Sequence, residues 1–428
     1  MFTFQFSRND FVLFVLFFLT LIATSAQPKG YLYDEQKVRH FTLPNPLVCE
    51  DGSTVTDSTV WFEKRRPEIL RLFENEVYGR SPKKPKHMEF HEFEKDANAL
   101  GGKAKRKQIQ IKLSKGDKAL AINLLIYSPV GSKKPVPGFL TINFHGNHTV
   151  HNDPAIKITE SWVRNRNGIK NNQARKEDRG TSSSRWSIEQ IIEHGYMFAT
   201  FYYGEIDPDF DDDYQNGVHG LFSSSTEQIS KPAEWGSIAC WAWGLSRCMD
   251  YLEADPIIDS QRIAVMGHSR LGKTSLWAGA SDQRFAMVIS NNSGCGGAAL
   301  SRRKFGETVN RINTSFPHWF CENFNKYNDM EEDCPVDQHM LIALAAPRPV
   351  YIASAEKDLW ADPKGEFLSA LEAEPVYKLF GHNFGATEHP LPNQPIHGRI
   401  GYHVRSGKHD VTAYDWEQYL KFADQHFK

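Results

Sequence analysis

The sequence predicts an α/β protein, a three-layer αβα sandwich whose central and mostly parallel β-sheet is covered by helices on both faces. Short and almost continuous apolar segments, such as residues 138–144, are typical of strands that are buried on both sides. These segments alternate along the chain with segments of helical periodicity. The sequence contains no repeat of fixed period, which argues against a solenoid or a propeller.

In the N-terminal part of the chain, the sequence pattern predicts one helix and one hairpin. Residues 66–78 have a helical pattern, which ends at Gly79. Residues 107–113 alternate between apolar and polar side chains, and residues 119–127 form the next predicted strand. Residues 114–117 have the composition of a tight turn, so the two strands are expected to pair as a hairpin.

Strands and helices alternate through the rest of the chain. The predicted strand 138–144 is followed by residues 151–185, which are polar and basic and are expected to form a long surface insertion. The further predicted helices cover residues 186–194, 233–252, 362–371 and 413–426. The further predicted strands cover residues 196–203, 263–266, 286–290, 350–354 and 376–380.

No linker divides this pattern, so residues 27–428 are expected to form a single domain, in which residues 27–105 are an N-terminal extension packed on the core. Residues 1–26 have the features of a signal peptide, because Arg8 precedes an apolar run of roughly 12 residues and small side chains follow that run. Such a run is too short to cross a bilayer. We therefore expect a secreted or periplasmic protein that leaves the membrane after cleavage, and an uncleaved membrane anchor is the alternative.

The composition limits the partners and the cross-links of the chain. Its 50 basic and 52 acidic side chains leave a formal net charge of −2, so no binding to nucleic acid is expected. The six cysteines are few for this length, and Cys321 with Cys334 is the favoured local disulfide. Because no C-x-x-C pair occurs, a cysteine zinc site is not expected. We expect a monomer that needs neither a metal nor a cofactor.

The chemistry that the sequence predicts centres on Ser269. This serine follows the predicted strand 263–266 and Gly267, and it precedes small and apolar residues with helical periodicity. The context is typical of a nucleophile elbow, in which a sharp turn presents a serine and the helix behind it directs N–H groups at a developing oxyanion. The usual pattern is G-x-S-x-G, but here the second glycine, Gly272, comes one position late.

Two other interpretations of this segment are open. A serine before a helix can act as its N-cap. Residues 267–274 also fit G-x-x-x-x-G-K-[ST], the pattern of a phosphate-binding loop. An exported protein has no access to ATP, and candidates for an acid and a base occur downstream, so we favour the serine nucleophile.

A serine nucleophile needs a base and an acid that orients the base, and in α/β-hydrolases they follow in the order serine, acid, histidine. A loop after a predicted strand contains Asp358, the favoured acid, with Glu356 and Asp362 as alternatives. A loop before the last predicted helix contains His409, the favoured base. The alternative base, His403, lies in the apolar run that precedes this loop.

The serine motif, Gly267-His268-Ser269-Arg270-Leu271-Gly272-Lys273, is accompanied by other specific stretches. These stretches are residues 65–70, 202–209, 293–297, 358–363 and 407–410. Together they resemble the glucuronoyl esterases of carbohydrate esterase family 15, in the style of the bacterial branch. The resemblance extends over most of the mature chain and implies an α/β-hydrolase fold with long loop insertions.

This resemblance implies hydrolysis of the ester between 4-O-methyl-glucuronic acid of glucuronoxylan and the alcohols of lignin, through an acyl-enzyme. The catalytic residues that it implies are Ser269 as nucleophile, His409 as base and Asp358 as acid. Arg270 would stabilise the oxyanion, a role that suits a guanidinium because it stays charged and offers several fixed donors. The candidate substrate-binding residues are Lys273, which the family pattern indicates, and Trp360 and Glu307.

The sequence departs from the family pattern at two positions. Many members carry the acid as a glutamate just before the Ser-Gly-x-Gly-Gly stretch, where this chain has Asn292. An amide can orient an imidazole but cannot balance the charge of imidazolium, so the role of acid falls on Asp358, which some bacterial members also have. His268 occupies the position of a disulfide-forming cysteine in fungal members.

Alternatives are open at each level of this hypothesis. The chain could be a related carbohydrate esterase that acts on acetyl xylan or on uronate esters of another polysaccharide, or a carbohydrate-binding relative without activity. The basic segment 164–185 could dock xylan or be a solvated loop, and the acidic cluster within residues 207–213 could hold calcium. Glu322 and Glu331 compete with Glu307 for a contact with the sugar.

Overall fold

A mostly parallel sheet of nine strands organises the part of the chain that the computed structural model describes, residues 27–166, 169–222 and 233–428. The predicted signal peptide lies outside the described residues. The strands are β1 His87–Asn98, β2 Ala104–Lys115, β3 Lys118–Pro129, β4 Val136–Asn143, β5 Met197–Tyr202, β6 Ile258–His268, β7 Met287–Asn291, β8 Val350–Ala355 and β9 Ile400–Arg405.

The strands lie in the order β1-β2-β3-β5-β4-β6-β7-β8-β9. The three pairs from β1 to β5 are antiparallel, and the five pairs from β5 through β4 to β9 are parallel. From residue 32 onward, the described residues form one compact unit.

Helices connect these strands. In the described ranges they are α1 Ser58–Val60, α2 Arg66–Glu76, α3 Ala99–Gly102, α4 Ile188–Glu193, α5 Gly217–Phe222, α6 Ser237–Ala254, α7 Arg270–Ser281, α8 Val309–Ser315, α9 Gln338–Ala343, α10 Pro363–Glu372, α11 Glu374–Lys378 and α12 Ala413–Phe427. Not one of these helices is both long enough and apolar enough to pass through a bilayer.

Apolar side chains fill the space on both faces of the sheet. Because successive residues of a strand point to opposite faces, Val288 and Ile289 of β7 belong to different core clusters. The cluster on one face includes Trp277 of α7 and side chains of α6 and α10, and the cluster on the other face includes Trp416 of α12 and side chains of α4. The predicted sheet with helices on both faces is therefore confirmed.

Most predicted elements are present, with ends that differ by a few residues. The predicted hairpin is formed by β2 and β3, and the helix predicted at residues 66–78 is α2. Two strands were not predicted. β1 lies at the edge of the sheet, where its many exposed charged residues hide the apolar alternation of a strand and also protect the edge from pairing. β9 contains the buried His403 and Arg405, which interrupt its apolar pattern.

The strand predicted at residues 376–380 is wrong, because residues 376–378 belong to the helix α11 and residues 379–380 form the turn after it. A short apolar run is compatible with a strand or with a buried turn of helix, and periodicity alone does not separate them. Pro375 occupies the first turn of α11, where a missing N–H costs nothing. Val376 and Tyr377 are buried, and Lys378 pairs with Glu374 one turn earlier, at 2.6 Å.

The predicted disulfide between Cys321 and Cys334 is also wrong. All six cysteines are buried free thiols. The thiol of Cys321 instead faces the carbonyl oxygen of Asn75, at 3.6 Å. Spacing along the chain is a weak guide here, because a disulfide also requires that the two Cβ atoms approach each other.

Four chain segments leave the sheet at the carboxyl ends of neighbouring parallel strands. β6 ends before Ser269, β7 before Asn292, β8 shortly before Asp358, and β9 shortly before His409. Because parallel strands all end at the same edge, their following loops converge there. This edge is therefore the place to look for a functional site.

A buried carboxyl group, Glu366 of α10, holds the turn that follows β7. It accepts hydrogen bonds from the backbone N–H groups of Ser293 and Gly294, at 2.7 and 2.9 Å, and from the hydroxyl of Ser354, at 2.5 Å. Burial raises the pKa of Glu366 to about 8, although these hydrogen bonds favour the charged form. Glu366 is therefore a neutral acid over much of the pH range.

Gly79, which follows α2, allows a first stability prediction. Its φ is +83°, and a Cβ atom at this position would lie 2.3 Å from Cα of Trp235. We expect Gly79→Ala to lower the free energy of unfolding by more than about 2 kcal/mol, because a left-handed backbone and a backbone clash act together. Urea denaturation of the variant measures this loss.

Gly52→Ala is the matched control for this variant. The φ of Gly52 is +82°, and a Cβ atom there would have no neighbour within 4 Å. This substitution should cost only about 1 kcal/mol, the strain of the backbone alone. Equal losses in the two variants would show that the contact with Trp235 is unimportant.

The raised pKa of Glu366 predicts that the stability of the protein depends on pH. Its pKa is about 8 in the folded protein, against an ordinary value of 4.5, so the folded state binds this proton more tightly than the unfolded state does. The contribution of Glu366 to stability is therefore complete below about pH 4.5 and is lost as the pH rises through about 8. Denaturation of the wild type at pH 5.5 and 8.5 should show a fall that is smaller in Glu366→Gln, whose amide cannot ionise. The same fall in both proteins would contradict this assignment.

Candidate active site

The backbone at Ser269 is strained. Its φ and ψ are 58° and −130°, although φ values in this range favour glycine. β6 ends at the residue before it, and α7 begins at the residue after it. The serine side chain makes no capping hydrogen bond to α7, so the interpretation as an N-cap is not supported. This strand, strained serine and helix have the arrangement of a nucleophile elbow.

Close packing around the elbow explains the late second glycine. A Cβ atom at Gly267 would lie 1.8 Å from the carbonyl oxygen of Leu271, so this position has no room for a side chain. A Cβ atom at Gly272 would lie 3.1 Å from the carbonyl oxygen of Asn291 and 3.0 Å from Cβ of Ser293. The helix α7 therefore approaches the end of β7 at Gly272, while the Leu271 side chain is buried in the core.

Asp358 and His409 form a close pair at the same edge of the sheet. Nδ1 of His409 lies 2.6 Å from Oδ2 of Asp358, and Nδ2 of Asn292 donates to the same oxygen at 2.9 Å. Burial opposes the ionisation of Asp358, but these two contacts and a backbone N–H outweigh it and hold its pKa below the usual value. The carboxylate is therefore charged and can orient the imidazole and balance a positive charge on it.

The alternative acids have other contacts. Asp362 pairs with the buried Arg303, at 2.8 Å, and accepts a hydrogen bond from the backbone of Gly365 at the start of α10. Glu356 accepts a backbone hydrogen bond from Gly407, at 3.4 Å. Asp358 is thus the one of the three candidates that contacts His409.

The alternative base, His403, is part of a different buried network. Its two ring nitrogens lie 3.0 Å from a carboxylate oxygen of Asp415 and 3.0 Å from the hydroxyl of Tyr351. The ring is fully buried, and both of its nitrogens have a partner. His403 is therefore a structural residue, whereas the side chain of His409 is 41% exposed and accessible to a substrate.

His268 packs against His409 at the position where fungal members were expected to have a cysteine. The centroids of the two rings are 4.5 Å apart. Burial lowers the pKa of His268 well below its usual value, and His409 acts in the same direction. The His268 ring therefore stays neutral, and Nδ1 is tied to Oδ1 of Asn291 at 2.7 Å. A neutral and fixed ring provides a surface that supports the ring of His409.

The hydroxyl of Ser269 and Nε2 of His409 are free of hydrogen bonds to any residue in the described ranges. Asn292 contacts the acid and not the base, and its own Oδ1 is buried without a described partner. The structure thus pairs the predicted acid with the predicted base, and Asn292 supports the acid. The ring contact with His268 places the base next to the residue that precedes Ser269.

Arg270 follows the serine and lies beside two aromatic rings. Its guanidinium carbon is 5.3 Å from the ring centre of Phe144 and 5.1 Å from that of Trp319. The side chain is 22% exposed, and it pairs with Asp209 at 3.4 Å. A guanidinium in this position can donate hydrogen bonds to an anion that forms next to Ser269.

The three predicted substrate-binding residues lie close together. The amine of Lys273 is buried and donates to the carbonyl oxygen of Ser293. Burial raises the pKa of Glu307, although the charge of Lys273 and a hydrogen bond from the Trp360 side chain lower it. The backbone N–H of Glu307 also donates to the carbonyl oxygen of Trp360, at 3.0 Å. These contacts place Glu307, Lys273 and Trp360 in one polar group near the elbow.

The competing glutamates have different surroundings. Glu331 is buried and pairs with Lys304, at 2.9 Å. Glu322 is exposed in a short 3-10 helix. The electrostatic contact with Lys273 that distinguishes Glu307 could not be found from the sequence, because all three residues lie in the same irregular stretch.

Two acids of the cluster, Asp207 and Asp209, are buried and engaged by other side chains, whereas Asp211 and Asp213 are exposed. Asp207 pairs with the buried His219, at 3.3 Å, and Asp209 is surrounded by hydrogen-bond donors. Asp207, His219 and Cys240 have potential ligand atoms within 4.8 Å of one another. However, Nε2 of His219 lies 2.8 Å from the carbonyl oxygen of Trp235, so both ring nitrogens already have partners. We therefore interpret the group as a hydrogen-bonded part of the core.

Two buried carboxyl groups were not predicted to support the site. Glu366 supports the turn after β7, and Asp209 pairs with Arg270. Neither residue lies near its partner in sequence, so no local pattern identifies the contact. The resemblance to the family placed Asp209 within a specific stretch, and this was the one signal that could have found it.

Sequence comparisons identify relatives of this chain among carbohydrate esterases. The chain matches a family model described as glucuronyl esterase, fungi, over residues 190–381. It is 54% identical over 404 residues to carbohydrate esterase MZ0003 from an unknown prokaryotic organism, with 94% of this chain and 93% of that protein covered. It is 26% identical over 348 residues to a 4-O-methyl-glucuronoyl methylesterase of Schizophyllum commune, with 79% of this chain and 74% of that protein covered.

Structural comparisons point to the same group. A promiscuous CE15 esterase from a marine bacterial metagenome superposes with a TM-score of 0.88 at 54% identity, with 93% of this chain and 100% of that chain covered. A glucuronoyl esterase from Solibacter usitatus superposes with a TM-score of 0.86 at 48% identity, with 92% of this chain and 100% of that chain covered. The chain therefore belongs to carbohydrate esterase family 15, the glucuronoyl esterase family, and is a carboxylic ester hydrolase with an α/β-hydrolase fold.

Proposed function

We propose that this esterase hydrolyses the ester between 4-O-methyl-glucuronic acid of glucuronoxylan and the alcohols of lignin. The contact of 2.6 Å between His409 and Asp358, at the same edge of the sheet as the strained Ser269, is the observation that carries the proposal. The substrate class comes from relatives that are named for activity on 4-O-methyl-glucuronoyl esters.

Acylation begins with attack of the Ser269 hydroxyl oxygen on the uronoyl carbonyl carbon. Nε2 of His409 accepts the hydroxyl proton, while Nδ1 remains bonded to the charged Asp358. The negative charge that develops on the carbonyl oxygen is stabilised by the guanidinium of Arg270 and by N–H groups at the start of α7. His409 then gives its proton to the departing alcohol oxygen, and the uronoyl group stays on the serine.

Deacylation reverses these roles. A water molecule gives a proton to His409 and attacks the acyl carbon, and a second oxyanion forms beside Arg270. Collapse of this intermediate breaks the bond to Ser269, which recovers its proton from His409. The products are the free uronic acid on the polysaccharide and the alcohol.

The sugar ring would be held by the polar group beside the elbow. Lys273 and Glu307 offer a donor and an acceptor for sugar hydroxyls, and the indole of Trp360 offers a flat apolar face. A pocket with few fixed polar groups next to an aromatic ring suits a pyranose, which has polar edges and apolar faces.

A second candidate function is ester hydrolysis on a wider set of carbohydrates, including acetyl xylan or uronate esters of another polysaccharide. This candidate is favoured by the similar structure that is described as a promiscuous esterase, at 54% identity. Both candidates use the same serine chemistry, and they differ in what the sugar-binding residues accept.

We also propose that the protein is exported with cleavage after Ala26, and that residues 27–428 act as one catalytic domain. The apolar run in the first 26 residues supports export, because such a run with a basic residue before it is typical of a signal peptide. Export would also bring the enzyme to a polymeric substrate that cannot enter a cell.

The substrate assignment predicts the outcome of a direct assay. Mature protein, residues 27–428, should hydrolyse benzyl glucuronate with a higher kcat/KM than it shows for release of acetate from acetylated xylan. The physical reason is that Lys273, Glu307 and Trp360 select the sugar that carries the carbonyl group under attack. Alcohol and acetate release, measured by chromatography, compare the two substrates.

Ser269→Ala is the control for this assay, because it removes the nucleophile and leaves the sugar-binding residues in place. Faster turnover of acetylated xylan would favour the second candidate function. Binding of glucuronoxylan without turnover of either substrate would contradict both candidates and would support a carbohydrate-binding protein.

The assignment of the acid predicts unequal effects of two substitutions. Asp358→Ala should lower kcat/KM by roughly 10³- to 10⁴-fold, because it removes the charge that orients and balances His409. Asn292→Ala should lower it by about 10-fold or less, since the amide donates to the acid and does not replace it. Steady-state kinetics on benzyl glucuronate measure both values. Equal losses would mean that Asp358 is not the acid on which His409 depends.

A further inference from the structure

Asp209 is a fully buried carboxylate in the segment that follows β5. One of its oxygens, Oδ1, accepts hydrogen bonds from Nε2 of His318, at 2.9 Å, and from the indole N–H of Trp319, at 2.8 Å. The hydroxyl of Tyr203 lies 3.3 Å from the other oxygen, Oδ2. The carboxylate is therefore fixed by side chains from two distant parts of the chain.

Two guanidinium groups share the Oδ2 atom of Asp209. Arg164 approaches it at 3.0 Å, and Arg270 approaches it at 3.4 Å. Burial opposes ionisation of Asp209, but the donors and the two cations outweigh it and hold its pKa far below the usual value. Asp209 is thus a fixed negative charge inside the protein, and it faces the residue that follows the nucleophile.

The surroundings of Arg270 leave its position dependent on this charge. Among the described residues, Asp209 is the one carboxylate that pairs with Arg270, and Nε of Arg270 is buried without a hydrogen-bond partner. The rings of Phe144 and Trp319 lie beside the guanidinium and limit its movement sideways. Contact with an aromatic ring does not determine in which direction the N–H groups of the guanidinium point. The ion pair with Asp209 therefore sets their orientation.

Trp319 connects the two parts of this arrangement. Its indole N–H donates to Asp209, and its ring lies beside Arg270. The same side chain therefore fixes the anion and borders the cation. A single polar unit, composed of His318, Trp319, Asp209 and Arg270, extends from the core to the elbow.

We propose that Asp209 is a positioning residue for Arg270, and that its buried charge holds the guanidinium in the orientation that stabilises the oxyanion. The inference rests on the proposed function, in which Arg270 stabilises that oxyanion. A donor that is already oriented before the reaction stabilises the transition state without a cost of reorganisation. Loss of this orientation should therefore lower kcat and leave KM nearly unchanged.

The principal test is a double-mutant cycle with Asp209→Asn and Arg270→Met. The asparagine keeps the size of the side chain and an acceptor for His318 and Trp319, but its amide cannot bind a guanidinium as a counter-charge. Each single variant should lower kcat by roughly 10²- to 10³-fold, as loss of an oxyanion donor does. The double variant should be no slower than Arg270→Met alone, because Asp209 acts through Arg270.

Asp207→Asn is the matched control. Asp207 is a buried acid in the same segment, and it pairs with His219 and not with Arg270. Its substitution should change thermal stability but leave kcat within about twofold of the wild type. All variants are assayed with benzyl glucuronate and with p-nitrophenyl acetate, so that a wrong choice of sugar substrate does not hide an effect on catalysis.

The outcomes separate this inference from the proposed function. If Arg270→Met keeps full activity on both esters, the proposed role of Arg270 fails. If Arg270→Met is slow but Asp209→Asn keeps at least a third of the wild-type kcat, the inference alone fails. Losses that multiply in the double variant would also overturn it, because they would show that the two residues act independently.

Trp319→Phe provides a second test that does not depend on the folding of Asp209→Asn. Phenylalanine keeps an aromatic ring beside Arg270 but removes one hydrogen bond to Asp209. We expect kcat to fall by about 3- to 10-fold with KM nearly unchanged, which corresponds to the net contribution of one typical hydrogen bond. An unchanged kcat in this variant would contradict the positioning role.

Discussion

Parallel pairing of β6, β7, β8 and β9 determines where the chemistry can occur. Each of these strands ends at the same edge of the sheet, so the loops after them meet although they are far apart in sequence. The proposed nucleophile follows β6, Asn292 follows β7, the proposed acid follows β8 and the proposed base follows β9. A shift of one strand by two residues would move its loop by about 7 Å, which is more than a hydrogen bond can span.

Burial has different consequences for the acids around this edge, and the donors around each carboxyl group decide which form is favoured. Asp358 and Asp209 stay charged because they receive several donors and a positive or ionisable partner. Glu366 also receives donors, but in the described ranges it forms no ion pair, and the charge of Asp358 adds to the effect of burial, so its neutral form persists to a higher pH. The site thus combines charged acids that act on neighbouring side chains with a neutral acid that supports the backbone.

The sequence was sufficient to predict the features that depend on local pattern. The apolar strands and the elbow at Ser269 follow from composition and spacing. The proposed order of serine, acid and histidine rests on the same pattern, and the resemblance to the family supplied the proposed roles of Arg270 and Lys273. The short segment after α10 was misinterpreted because four or five apolar residues fit a strand and a helix equally well. β1 was missed because the edge of a sheet requires charged side chains where an inner strand has apolar ones.

Contacts between distant residues were beyond such a prediction. The place of Asp358 after a predicted strand favoured it over Glu356 and Asp362, but which of these carboxylates reaches His409 is a distance between loops that spacing does not give. The pairing of Asp209 with Arg270 and of Glu366 with the turn after β7 depends on how helices pack on the sheet. A single sequence contains no period or motif from which these distances follow.

The buried thiols have a consequence for how this enzyme reaches its mature form. Burial raises the pKa of Cys321 and Cys334 to about 12, and it also raises the pKa of Cys240, Cys248 and Cys295. A thiol that stays protonated and inaccessible is a poor nucleophile, so oxidants and mixed-disulfide reagents have little to react with in the native protein. If the chain folds in an oxidising compartment, its cysteines would have to become buried before they are oxidised. Rapid folding, rather than an oxidoreductase, would then prevent incorrect disulfides.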